Sequence, residues 1–110
     1  MNIQIFGKNK CFDTKKAQRY FKERGVKFQA IDLLKYGISR GELTSVKNAV
    51  GLEALLDPKA ADAALVTYLA YDEDKREKLL EDPKLLRTPI VRNGKQATVG
   101  YCPEVWKTWT

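Results

Sequence analysis

The chain has no histidine, and this absence excludes more chemistry than any other feature of its 110 residues. Without imidazole there is no Cys–His or Ser–His dyad to activate a nucleophile. The commonest metal ligand is also missing. Cysteine is scarce: Cys11 and Cys102 are too few for a disulfide framework and make a poor zinc site by themselves. No apolar run is long enough to cross a bilayer. The N-terminus lacks the apolar stretch and small-residue cleavage site of a secretory signal. The expectations are therefore no metal, no membrane association and a reducing, cytoplasmic setting.

What is present suits a globular domain. A hydrophobic content of 44% with 31% charged residues is enough to bury a core without staples, so residues 1–110 are read as one domain. The net charge of +6 is spread among acids rather than massed, the pattern of a solvated lysine-rich face. A nucleic-acid surface would interleave aromatics with clustered basic residues, and no such segment occurs. Trp106 and Trp109, three residues apart, are expected to pack in the core, as are Tyr68 and Tyr71 at the same spacing.

Periodicity gives the organisation. Asn2-Ile3-Gln4-Ile5-Phe6 alternates and turns at Gly7, a strand. Asp13 or Thr14 is expected to cap the helix that follows, whose Ala17, Tyr20, Phe21 and Arg24 recur at helical spacing before Gly25. Val26 to Ile31 alternates again, so strand, helix and strand form a right-handed βαβ unit. Residues 35–86 read as a helical insertion. Ser39-Arg40-Gly41-Glu42 predicts a capping box, Leu52 to Leu56 a short helix, and residues 60–71 an alanine-rich helix. Residues 73–80 form a charged helix ended by Asp82-Pro83. A third strand begins at Thr88-Pro89, Asn93-Gly94 predicts a hairpin to a fourth, and Pro103 opens a terminal helix. The fold class is α/β: a mixed four-stranded sheet with helices on both faces.

Cys11 is the residue that carries chemistry. It lies between the first strand and the first helix, where N–H groups and the helix dipole favour a thiolate, and Lys8, Lys10 and Lys15 add positive charge. With no imidazole present, any activation has to be electrostatic. The competing reading is a buried free thiol that fills space. Lys15, one helical turn beyond Cys11, is either an anion ligand or an ordinary exposed helix lysine.

Cys11 with Asp13-Thr14-Lys15-Lys16-Ala17, then Gly25-Val26-Lys27-Phe28, Ile38-Ser39-Arg40-Gly41-Glu42-Leu43, Leu85-Leu86-Arg87-Thr88-Pro89-Ile90-Val91 and Val99-Gly100-Tyr101-Cys102-Pro103-Glu104-Val105, follow one another along most of the chain. In order and spacing they resemble the arsenate reductase-like family, the ArsC/Spx group with a thioredoxin-like fold. The small YffB-like members share the Cys, Asp-Thr and Lys-Lys-Ala run. Here Phe12 stands between Cys11 and Asp13, and Lys15 follows Thr14 one residue early. The resemblance makes Cys11 the nucleophile and favours a reactive thiol over a packing one. It implies a cis bond before Pro89, backbone pairing with substrate at Thr88, and anion attraction by Lys8, Lys15 and Arg87. It implies glutathione as a diffusible thiol, with no bound cofactor, and glutaredoxin as a candidate partner. Cys102 is a candidate resolving thiol, set against the simpler reading of a partly buried free thiol.

Two departures limit what carries over. The oxyanion-binding arginines of the family's arsenate reductases fall at Asp57, Thr88 and Tyr101, none of them basic, so arsenate reduction is not expected. The Cys-x-x-Cys switch of the Spx regulators is also missing, because Thr14 stands three residues after Cys11. The leading expectation is a glutathione-dependent thiol oxidoreductase. Its rival is a non-catalytic or redox-regulated module that binds a protein partner, as the Spx branch binds RNA polymerase.

Overall fold

The structure is a computed structural model, which describes residues 1–109. Strand β1 (Ile3–Gly7) leads through a short loop into helix α1 (Phe12–Glu23), and β2 (Phe28–Asp32) follows. The insertion comprises α2 (Leu33–Tyr36), α3 (Arg40–Val50), α4 (Leu52–Leu55), α5 (Ala63–Thr67) and α6 (Asp72–Glu81), then a 3-10 turn at Pro83–Leu85. Strands β3 (Ile90–Asn93) and β4 (Gln96–Val99) and helix α7 (Pro103–Trp106) complete the described elements.

The strands form one sheet in the order β2-β1-β3-β4. β1 is parallel to β2, as a βαβ crossover requires, and antiparallel to β3. β3 and β4 form a hairpin whose two-residue turn is Gly94-Lys95, with Asn93 opposite Gln96. Gly94 takes φ +60° at the first turn position, a conformation glycine adopts without strain.

Alternation along β1 divides the apolar residues between two faces. Ile3 and Ile5 meet Ala17, Tyr20 and Phe21 of α1, Val91 and Trp106. Phe6 points the other way, into Leu33, Leu43, Val46, Leu55, Leu79, Leu86 and Ile90. On the first face the Trp106 ring is fully buried and packs edge-on against Tyr20, with centroids 5.1 Å apart. Its Nε1 donates to Thr98 Oγ1 at 2.7 Å, so the indole N–H is not orphaned. Trp109 packs partly buried against the same cluster, as expected.

Several local signals act as read. Ser39 and Glu42 form the capping box reciprocally, at 3.1 and 3.0 Å. Arg40 then pairs on the surface with Glu77 of α6. No helix among the described residues is long and apolar enough to span a membrane.

Three expectations need correction. Neither Asp13 nor Thr14 caps α1; Cys11 occupies the N-cap position, with φ −89° and ψ 113°. Thr14 is unavailable because its side chain is buried against β1, where it fills the space that a Cβ on Gly7 would take. The alanine-rich helix shrinks to Ala63–Thr67, since Asp62 adopts the left-handed region (φ 68°) and breaks it from the preceding turn. Tyr68 and Tyr71 are consequently 84% and 71% exposed instead of packed. They stand at the C-cap of α5 and the N-cap of α6, outside the stripe in which Ala63 and Val66 are buried.

Candidate active site

The first helix starts where β1 runs out of partners. The Cys11 N–H donates to the Lys8 carbonyl at 3.0 Å, closing a tight turn. The Lys15 N–H donates to the Cys11 carbonyl at 3.3 Å, which begins the helical ladder. The sulfur is half-buried and donates to the Thr88 carbonyl at 3.6 Å. Thr88 immediately precedes Pro89 across a cis peptide bond. The Gly100 N–H donates to the Pro89 carbonyl at 2.9 Å and fastens that loop to the end of β4. Two segments nearly eighty residues apart in sequence thus meet at one atom.

Electrostatics at Cys11 favour ionisation. Burial by itself pushes the thiol up, but the Thr14 hydroxyl, the Thr88 side chain and the backbone N–H groups of Thr14 and Asp13 together hold it below the ordinary thiol value. The Thr14 hydroxyl is buried and has no hydrogen-bond partner in the structure. A thiolate supplies the acceptor it lacks, so ionisation satisfies a group that is otherwise orphaned.

Cys102 behaves in the opposite sense. Burial pushes its thiol up, the Glu104 carboxylate pushes the same way against a hydrogen bond from Thr98, and Asp13 adds the smallest upward push. Its sulfur donates to the Val99 carbonyl at 3.3 Å and packs against the cluster around Trp106. That environment suits a protonated thiol.

An open cleft of about 370 Å³ lies over Cys11. Lys8, Lys10, Lys59 and Arg87 line it, with Asp57 as its one carboxylate, beside Pro58 and Thr88. Arg87, expected from the sequence as an anion ligand, thus reaches the cleft. Lys8 has its ammonium on backbone oxygens, donating to the carbonyls of Lys84 at 3.1 Å and Leu86 at 2.7 Å. Lys15 is not among the residues lining the cleft; its ammonium sits 5.8 Å from the centre of the exposed Phe12 ring.

Lys59 and its neighbours reach the site through pairing that sequence periodicity does not reveal. The Asp57 N–H donates to the Leu85 carbonyl and the Arg87 N–H to the Leu55 carbonyl, each at 2.8 Å, around an antiparallel bridge between Leu56 and Leu86. The insertion is stitched in this way to the segment that leads into Thr88. The Asp57-Pro58 turn is the only sequence signal of it. Among the described residues, no group of three or more Cys, Asp or Glu side chains is arranged to hold a metal ion.

A cysteine at the N-cap position of the first helix, beside a cis-proline loop on a β2-β1-β3-β4 sheet, defines a thioredoxin-like fold. Within that class, the model of the ArsC family matches residues 6–109, and the chain belongs to that family. It is 28% identical over 107 residues to the global transcriptional regulator Spx 2 of Oceanobacillus iheyensis, covering 92% of this chain and 78% of that protein. An arsenate reductase from Vibrio cholerae has the same fold, with a TM-score of 0.83 at 24% identity over 96% of this chain and 94% of that one. So does the YFFB protein, with a TM-score of 0.81 at 23% identity over 96% of each chain.

Proposed function

We propose that the protein is a thiol oxidoreductase in which Cys11 exchanges with disulfides and glutathione serves as the diffusible thiol. The observation that carries this reading is the sulfur itself, accessible, held below its ordinary pKa and adjacent to Thr88. In the first step the Cys11 thiolate attacks the glutathionyl sulfur of a mixed disulfide. A Cys11–glutathione disulfide forms and the other thiolate leaves. In the second step a glutathione thiolate attacks the glutathionyl sulfur of that adduct. Oxidised glutathione departs, and Cys11 is released as a thiolate. Glutaredoxin is an alternative reductant for the same intermediate.

The cleft suits a small anionic thiol. Glutathione carries two carboxylates, and Lys10, Lys59 and Arg87 offer cationic groups free of partners among the described residues. The N–H and C=O of Thr88 provide an extended pairing edge for a peptide-like substrate. A multiply charged oxyanion fits less well: Asp57 repels it, and the cleft offers one guanidinium where bidentate capture wants several. Arsenate is therefore outside the proposed substrate class. The chemistry requires a reducing compartment, which is why the cytoplasm belongs to this reading.

A second reading is a partner-binding module of the Spx kind. Exposed Tyr68 and Tyr71 on the insertion support it, because tyrosines often anchor protein interfaces. The test is incubation with oxidised glutathione followed by intact mass. Wild type and Cys102→Ser are expected to gain one glutathionyl group and Cys11→Ser none. Adduct that disappears only in Cys102→Ser would overturn the oxidoreductase reading.

A further inference from the structure

We infer that Lys8 is a positioning residue, whose ammonium clamps the Leu86 carbonyl to the Cys11 turn and so keeps Thr88 against the sulfur. This deepens the proposed function and rests on Cys11 being the reactive thiol.

Four hydrogen bonds make a closed circuit. The Lys8 carbonyl accepts the Cys11 N–H at 3.0 Å. The Lys8 ammonium donates to the carbonyls of Leu86 at 2.7 Å and Lys84 at 3.1 Å. Cys11 Sγ donates to the Thr88 carbonyl at 3.6 Å, two residues beyond Leu86. The same lysine therefore holds the nucleophile's turn with its backbone and the cis-proline segment with its side chain. A charge-assisted bond of 2.7 Å is short and strong, and its acceptor cannot drift as a side chain would. On its far side the segment is held by the Arg87 N–H on the Leu55 carbonyl. With Lys8 removed, the fastening of Pro89 to Gly100 and the pairing of Ile90 with Phe6 remain, but the Arg87 bond to Leu55 loses its brace and opens more often, and Thr88 is freer to leave the sulfur.

Lys10 is the natural control. It lines the same cleft and carries the same charge, yet it is exposed and bonded to nothing among the described residues. Loss of Lys10 removes charge alone; loss of Lys8 removes charge and the clamp.

The test uses the full chain with Cys102→Ser, so that alkylation by iodoacetamide reads Cys11 only. Rates are followed against pH for the parent, Lys8→Met, Lys8→Arg and Lys10→Met. Amide hydrogen exchange is followed at Arg87. Lys8→Met is expected to raise the inflection by about half a pH unit or more, with a smaller rise in Lys10→Met. It is also expected to speed exchange at Arg87 severalfold, and Lys8→Arg should restore both. Equal shifts in Lys8→Met and Lys10→Met, with exchange at Arg87 unchanged, would reduce Lys8 to its charge and overturn the clamp. Should Lys8→Met not fold, Lys8→Gln replaces it, and exchange at Arg87 no faster than in the parent overturns the clamp. A parent inflection at the ordinary cysteine value with fast exchange at Arg87 in Lys8→Met would sink the reading of Cys11 and leave the lysine as a structural tie only.

Discussion

The two cysteines occupy the same formal position and are driven in opposite directions. Each is the N-cap of a helix, and neither makes a side-chain capping bond. Cys11 heads the twelve residues of α1, and hydroxyl and amide donors converge on its sulfur. Cys102 heads the four residues of α7, and burial and the nearby carboxylates of Glu104 and Asp13 hold its thiol up. A helix start is thus a weak activator by itself. The groups around the sulfur decide its state: at Cys11 the Thr14 hydroxyl and Thr88 add to the first-turn amides, and at Cys102 carboxylates work against them.

The contrast can be broken most strongly at Gly7. A Cβ there would lie 2.1 Å from the Thr14 methyl, so Gly7→Ala must push Thr14 out of its seat. Overpacking of this kind costs about 3 kcal/mol. Urea denaturation should show that loss, and alkylation of Cys11 should move to higher pH while that of Cys102 stays put. A variant as stable and reactive as wild type would show that the Thr14 seat is dispensable.

Thr14→Val makes a gentler cut. It keeps the shape and removes the one buried hydroxyl that lacks a partner among the described residues. Stability is expected to rise, by up to about 1 kcal/mol, because an unsatisfied polar group is exchanged for an apolar one. Reactivity should move the other way. The folded-state thiol pKa is depressed, so thiolate reactivity persists below the unfolded pKa and fades as pH falls through the folded one. Removing a donor shifts that fading to higher pH. Melting curves and rate–pH profiles on one preparation check both signs; faster alkylation at neutral pH would refute the role of the hydroxyl.

The smallest effect is expected at Glu104→Gln, which removes one of the carboxylates that raise Cys102. The inflection of Cys102 should fall by a few tenths of a pH unit, since a charge near a partly exposed thiol is screened. That of Cys11 should not change. The profile is best read in a Cys11→Ser background.

Much of the architecture was legible along the chain. The alternation of Ile3, Ile5 and Phe6, the Ser39–Glu42 box, and Pro103 at the start of the last helix all depend on neighbours within a few residues, and all appear where expected. The Asn93-Gly94 signal placed the hairpin and missed its register by one, because Asn93 pairs with Gln96 and the turn is Gly94-Lys95. Residues 60–71 show the limit of composition: alanine content favours helix, but it does not reveal the left-handed Asp62. Tyr68 and Tyr71 had helical spacing and no helix to share.

By itself the sequence determined the order of strands and helices and the presence of a thiol at the first strand-to-helix turn. Hydrophobic period and caps act over one or two turns, so that much is written locally. Tertiary structure decided which groups surround that thiol. Thr88, Lys59 and the carbonyls held by Lys8 come from segments whose pairing to the Cys11 turn depends on long-range backbone bonds, and such bonds leave no periodic trace in the residues that make them.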